Sequence, residues 1–257
     1  LIAVAVTYGY LAERYEIFHF EQMRTAEGFV RDLVAADPGP HHEEYADRQR
    51  PPIRLADPLD VGRLRSQMVE HVWGQDGFPH DSMPSSVEYD ITGDRYERLE
   101  GLERIDRLTT TMEFGVDSIA YLFQPSNANG ELVIYHQGHG GDFYLGTEII
   151  SYFLDRVYTV LALSMPLSGM NSQPSVVLTD FGAVDLVGHD HLALLKSDEL
   201  SPIKFFLEPI ARALNHIDAD LDLADYHMVG ISGGGWTTAV YAALDPRIST
   251  SFSVAGT

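Results

Sequence analysis

The stretch YHMVGISGGGWTTAVYAAL (226–244) constrains the fold more than any other part of the sequence. An apolar run typical of a buried strand comes first, a helical pattern follows, and Gly230, Ser232 and Gly234 lie between them at the spacing G-x-S-x-G. A chain that reverses sharply from a strand into a helix strains the residue at the turn, and side chains two positions away would collide with backbone. We therefore predict a tight turn that lifts the Ser232 hydroxyl clear of a sheet.

The rest of the C-terminal half predicts the sheet to which this turn belongs. Short β-rich runs begin near residue 104, and they read SIAYLFQP, ELVIYHQG, TVLALSMP, YHMVGIS and STSFSVAG. Helical segments near 143–156, 202–217 and 234–244 alternate with the later runs, which is typical of right-handed βαβ crossovers. We predict an α/β fold with a mainly parallel sheet and helices on both faces. The linker SNANG predicts a hairpin between the first two runs.

Composition excludes several classes of partner and site. The chain has 257 residues, enough for one large α/β domain, with 38 acidic and 17 basic side chains and a formal charge of -21. That charge argues against nucleic acid or an anionic membrane surface as the main partner. The absence of cysteine excludes disulfides, thiol catalysis and thiolate metal sites and leaves the compartment open.

The N-terminal region predicts a separate extension. Its first 12 residues, LIAVAVTYGYLA, are apolar but too short to span a bilayer alone. A truncated membrane anchor, the remnant of a signal sequence and a buried helix all fit them, so localisation stays open. A connector rich in Pro, Gly and charges follows. We predict a helical extension and connector over 1–57 and the α/β domain over 58–257.

A leading helix is predicted at the start of this domain. Within DPLDVGRLRSQMVEHVWG, one helical stripe contains Val61, Leu64, Met68 and Val72.

In these features the sequence resembles the α/β-hydrolase superfamily, especially its esterase, dienelactone-hydrolase-like and prolyl-oligopeptidase-like branches. The resemblance covers roughly residues 104–257 and rests on GISGGG with Ser232, on LVIYHQGHGG (132–141) and on LDPRISTSFSVAGT. It implies that Ser232 is a nucleophile, activated by a histidine that an acid orients. It implies no organic cofactor, and the sequence contains no identifiable metal site.

The resemblance also implies two backbone donors for an oxyanion. Gly233 directly follows the serine and lies at a helix N-terminus. Aligning HQGHGG with the superfamily's His-Gly-x motif makes the His139 amide the second donor, with Gly140 as the alternative. We interpret the side chains of His136 and His139 as structural, bonded to backbone.

The sequence departs from the superfamily after the serine, where an acid and then a histidine should follow. All eleven histidines precede Ser232, and the sole later acid, Asp245, comes too early to be the triad acid. We expect both partners beyond residue 257, which makes the given chain a fragment of a domain that is incomplete at its C-terminus. A chain that truly ended there would lack a general base and expose a sheet edge.

The predicted function is hydrolysis of a small-molecule carboxylic ester through an acyl-enzyme. The alternatives are a prolyl-oligopeptidase-like serine peptidase and a catalytically inactive hydrolase-fold binding protein. The sequence determines neither the acyl and alcohol specificity nor the oligomeric state.

Two further segments invite functional interpretations. Trp73 and Phe78 lie in a Gly- and Pro-containing segment, 71–86, for which a packed surface loop is the default interpretation and a lid or pocket wall is a hypothesis. His189, Asp190 and His191 could bind a metal or border the pocket, but we favour Asp190 as a helix cap.

Overall fold

A seven-stranded mixed sheet organises the described part of the chain, which is residues 58–93, 96 and 99–256 of a computed structural model. The strands of this sheet are β1 Ser86–Glu88, β2 Leu102–Thr111, β3 Asp117–Pro125, β4 Glu131–His136, β5 Thr159–Leu163, β8 Asp225–Ile231 and β9 Ile248–Val254. A separate antiparallel pair consists of β6 Ser175–Leu178 and β7 Gly182–Asp185. The helices are α1 Pro58–Trp73, α2 Thr147–Leu154, α3 His189–Leu192, α4 Lys204–Asp220 and α5 Gly233–Leu244.

The strand order is β1-β2-β3-β5-β4-β8-β9. Strands β5, β4, β8 and β9 pair in parallel, whereas β1, β2, β3 and β5 pair antiparallel in turn. All five β-rich runs therefore form strands, and β2, β4, β5, β8 and β9 point the same way. The predicted mainly parallel sheet is confirmed.

The predicted hairpin between the first two runs is wrong. Strand β5 lies between β3 and β4, pairing Leu161 with Leu122 on one side and with Ile134 on the other. All five residues of β5 are buried, and such an apolar strand is most stable at the centre of a sheet. The central position of β5 therefore separates two strands that are consecutive in sequence.

Helices cover both faces of the sheet, as predicted. Along β4, Leu132 and Ile134 join one core with residues of α1, α4 and α5, whereas Tyr135 joins a second core with Ile150 and Leu154 of α2. Successive side chains of a strand point to opposite faces, so β4 contributes to both cores. Phe205, Ile210 and Leu214 of α4 are all buried.

The leading helix forms where predicted but buries a different stripe. Val61, Leu64 and Met68 are exposed, and Val72 is the one predicted stripe residue that is buried. Val69 packs beside it against the first core. The residues of α1 that join the first core are Val69, Val72 and Trp73, in its last two turns, so the buried stripe is shifted from the predicted one.

The positions of the aromatic residues in 71–86 favour the packed loop over the lid hypothesis. Trp73 is 7% exposed, and its indole N–H donates to Glu208 Oε2 at 3.1 Å. Phe78 packs edge-on against Trp73 and also contacts Tyr241, near the C-terminal end of α5. Ser232 precedes that helix, so the segment lies about 13 Å further along the axis of α5. Trp73 belongs to the core rather than to a pocket wall.

The predicted N-terminal extension, 1–57, with its anchor or signal alternatives, lies outside the described residues. Within the part of the chain that the structure describes, no helix combines the length and apolarity that crossing a membrane requires.

Candidate active site

Ser232 occupies the sharp turn that the sequence predicts between β8 and α5. Its backbone adopts φ 54° and ψ -122°, a strained combination for a residue with a side chain, and the residue is exposed. Its N–H donates to Val254 O at 2.8 Å, and its carbonyl accepts the N–H of Trp236 at 3.1 Å. These bonds tie the turn to β9 and to the first turn of α5, so packing around Ser232 maintains the strain.

Glycine is required around this turn because other chain segments pass at contact distance. A Cβ at Gly230 would overlap the carbonyl of Gly234, and one at Gly234 would lie 2.6 Å from Gln137 O. A Cβ at Gly235 would lie 2.7 Å from Val254 O. The sequence prediction attributed the glycines to collisions with backbone, and the structure shows which backbone segments are involved.

The loop that follows β4, residues 137–140, packs directly against the Ser232 turn. A Cβ at Gly138 would lie 2.6 Å from Ile231 O and 2.9 Å from Ser232 Cβ. The His139 ring covers Gly233, because a Cβ there would lie 2.5 Å from His139 Nδ1. Two segments almost a hundred residues apart in sequence therefore meet at the serine.

Three backbone amides near Ser232 have no partner within the described residues. No hydrogen bond to another described residue is donated by the N–H groups of Gly233, His139 or Gly140. Gly233 is the first residue of α5, where N–H groups have no intrahelical acceptor and carry the positive end of the helix dipole. This arrangement is suited to binding an anion.

The histidine at the end of β4 has the structural role predicted for it. His136 is 1% exposed, and its Nδ1–H donates to the carbonyl of Gln137 at 2.9 Å. Burial lowers the pKa of His136 from 6.5 to about 4, so its ring is neutral at physiological pH. His136 supports the 137–140 loop from beneath and does not reach the exposed surface.

Comparison with solved structures places this geometry in a known fold. No family model and no curated protein sequence matches the chain. Acetyl xylan esterase 1 from Thermoanaerobacterium sp. JW/SL YS485 aligns at TM-score 0.52 and 18% identity, covering 76% of this chain and 57% of the esterase. The described domain has an α/β-hydrolase fold.

Two further solved structures share this α/β-hydrolase fold. A candidate acetyl xylan esterase from Bacteroides fragilis NCTC 9343 aligns at TM-score 0.52 and 17% identity, covering 74% of this chain and 51% of that one. A methylesterase aligns at TM-score 0.52 and 18% identity, covering 77% of this chain and 41% of that one. The chain therefore spans about half the length of these proteins.

The α/β domain places a layer of aromatic rings beside Ser232 that sequence reasoning missed. The ring centroids of His139 and His189 are 5.0 Å apart, and those of His189 and Phe206 are 5.2 Å apart. The centroids of Phe206 and Trp236 are 5.7 Å apart. His189 Nε2–H donates to Pro166 O at 2.7 Å. Burial lowers the pKa of His189, and the nearby His139 ring lowers it further. These residues are far apart in sequence, so no local pattern reveals the layer.

The structure corrects two predictions, one about the His139 side chain and one about the Asp190 helix cap. The His139 side chain makes no hydrogen bond within the described residues; its contact is the His189 ring. Asp190 does not cap a helix, because Gly188 occupies that position before α3 and Asp190 lies inside it. The described residues contain no group of three or more His, Cys, Asp or Glu that could hold a metal ion.

Asp245 is fully committed to a structural ion pair. It is 1% exposed, accepts three hydrogen bonds from the Arg247 guanidinium at 2.7 to 3.1 Å, and accepts the Tyr241 hydroxyl at 2.7 Å. These donors hold the pKa of Asp245 below its usual value despite its burial. Its place at the C-terminal end of α5 agrees with its exclusion as a triad acid.

Proposed function

We propose that this chain carries the nucleophile and oxyanion site of a serine hydrolase that cleaves a carboxylic ester. The observation that carries the proposal is the conformation of Ser232: an exposed serine on a strained strand-to-helix turn, beside amides that donate no hydrogen bond to another described residue. The solved structures aligned above are described as esterases, which supports an ester over other acyl substrates.

In the proposed reaction, Ser232 Oγ attacks the ester carbonyl carbon while its proton passes to a general base. The carbonyl oxygen becomes an oxyanion and accepts hydrogen bonds from the Gly233 and His139 amides, with Gly140 as the alternative to His139. Collapse breaks the bond to the alcohol oxygen, which takes the proton and leaves. Water then attacks the acyl-enzyme and releases the acid.

The general base is proposed to lie after residue 257, together with the acid that orients it. The described residues provide no hydrogen bond between Ser232 Oγ and a histidine, and the superfamily places both partners after the serine. His136 is buried and neutral, and His189 donates to a backbone carbonyl, so both have other roles.

Labelling with a fluorophosphonate tests the proposal. The full-length protein should be labelled at Ser232 and should hydrolyse p-nitrophenyl acetate, and Ser232→Ala should abolish both. Ser249→Ala is the matched control, because Ser249 lies on β9 and its hydroxyl donates to Tyr226 O; it should leave labelling and turnover intact. A folded protein that stays unlabelled at Ser232 would favour the inactive binding protein.

A further inference from the structure

Gln137 begins the loop that holds the proposed second oxyanion donor, and three of its hydrogen-bonding groups have partners. Its N–H donates to Leu163 O at 2.9 Å, and its carbonyl accepts from His136 Nδ1 at 2.9 Å. Its side-chain Oε1 accepts a hydrogen bond from the hydroxyl of Tyr135. Gln137 is 8% exposed, so these bonds are shielded from water. The residue two positions before the His139 amide is therefore held from three directions.

The Tyr135 hydroxyl is itself fixed in place. The residue is 1% exposed within the second core, and its ring lies so close to Gly146 that a Cβ there would overlap the phenol. Burial raises the pKa of Tyr135 to about 12, so the hydroxyl remains a donor throughout the working range of an esterase. The Tyr135 hydroxyl therefore holds Oε1 of Gln137 in a fixed position relative to the segment that connects β4 to α2.

Movement of Gln137 would be transmitted to the serine. Gly138, the next residue, packs against Ile231 O and Ser232 Cβ, and the His139 ring lies over Gly233. A misplacement of about 1 Å is enough to lower a rate by orders of magnitude when donors must meet a developing charge. A buried polar pair is not needed for stability alone, because an apolar pair of the same shape can be equally stable.

We propose that Tyr135 and Gln137 are positioning residues that set the location of the His139 N–H for oxyanion stabilisation. This inference rests on the proposed function. In this proposal, the hydrogen bond between the two side chains holds the His139 N–H where the transition state needs a donor. It serves neither to bind the substrate nor to stabilise the fold.

Tyr135→Phe removes only the hydroxyl and tests the inference in the full-length protein. We expect kcat for p-nitrophenyl acetate to fall about 10-fold or more, with KM within about twofold. The inhibition constant of a trifluoromethyl ketone, which forms a tetrahedral adduct, should rise by a similar factor. Tyr241→Phe is the matched control, because Tyr241 is equally buried and hydrogen-bonded but lies at the far end of α5; its kcat should stay within about twofold.

The double variant Tyr135→Phe/Gln137→Met separates positioning from folding. It removes both polar partners, so its unfolding midpoint should lie near that of the wild type, while its kcat should remain as low as that of Tyr135→Phe. The inference would be overturned if kcat of Tyr135→Phe stayed within twofold of the wild type, or if Tyr241→Phe lost as much kcat as Tyr135→Phe. In either case, labelling of Ser232 would leave the proposed function standing. A wild-type protein without Ser232-dependent turnover would instead overturn the proposed function, and the inference with it.

Discussion

His136 should make the stability of the α/β domain depend on pH in a defined window. The ring is 1% exposed, and burial lowers its pKa from 6.5 to about 4, whereas in the unfolded chain it takes up a proton near pH 6.5. Between these values the unfolded state binds a proton that the native state does not. The contribution of His136 to stability is therefore complete above pH 6.5 and is lost as the pH falls towards 4.

The size of this effect follows from the difference in pKa. Each pKa unit corresponds to about 1.4 kcal/mol, so the free energy of unfolding should fall by about 3 kcal/mol through this residue alone. Carboxylates such as Asp245 also lose stabilising contacts in acid, so the wild type by itself does not isolate the histidine. The variant His136→Asn isolates the contribution of the histidine, because the asparagine amide can still donate to the Gln137 carbonyl but does not titrate.

The assay is urea unfolding of the wild type and of His136→Asn at pH 7, 5.5 and 4.5. The wild type should lose stability faster than the variant as the pH falls, and the difference should grow mostly below pH 6.5. His71→Asn, a substitution at an exposed position of α1, should follow the wild type. Parallel pH curves for the wild type and His136→Asn would refute the assignment of a neutral buried imidazole.

Three further substitutions test the Ser232 turn and the packing at the opposite end of α5. Gly234→Ala should abolish folding or turnover, because its Cβ would overlap the carbonyl of His136; a normally active variant, measured by ester hydrolysis, would contradict the turn geometry. Trp73→Phe should cost about 1 kcal/mol by urea unfolding through loss of the hydrogen bond to Glu208, with unchanged preference among acyl chain lengths. Asp245→Asn should cost roughly 3 kcal/mol, because it removes the charge of a buried ion pair, while kcat of the folded fraction stays near wild type. A large fall in kcat in Asp245→Asn would contradict the exclusion of Asp245 as a triad acid.

The candidate site was predictable from sequence wherever its geometry is local. The glycines around Ser232 follow from the sterics of one turn, which depend on residues two positions apart, and the structure places them as those sterics require. The β-rich runs and the helices near 147–154, 204–220 and 233–244 follow from side-chain periodicity, which is also a local property.

Other features depend on which segments pack together, and no local pattern contains that information. The central place of β5, the ring contact between His139 and His189, and the hydrogen bond from Tyr135 to Gln137 each follow from the arrangement of the sheet and its loops. The stripe on α1 was misread for the same reason, since periodicity marks an apolar face but not how much of it the domain covers. Sequence alone determined the turn that presents the Ser232 hydroxyl. Only the tertiary structure decided what surrounds it, because those neighbours are brought together by burial of surfaces distant along the chain.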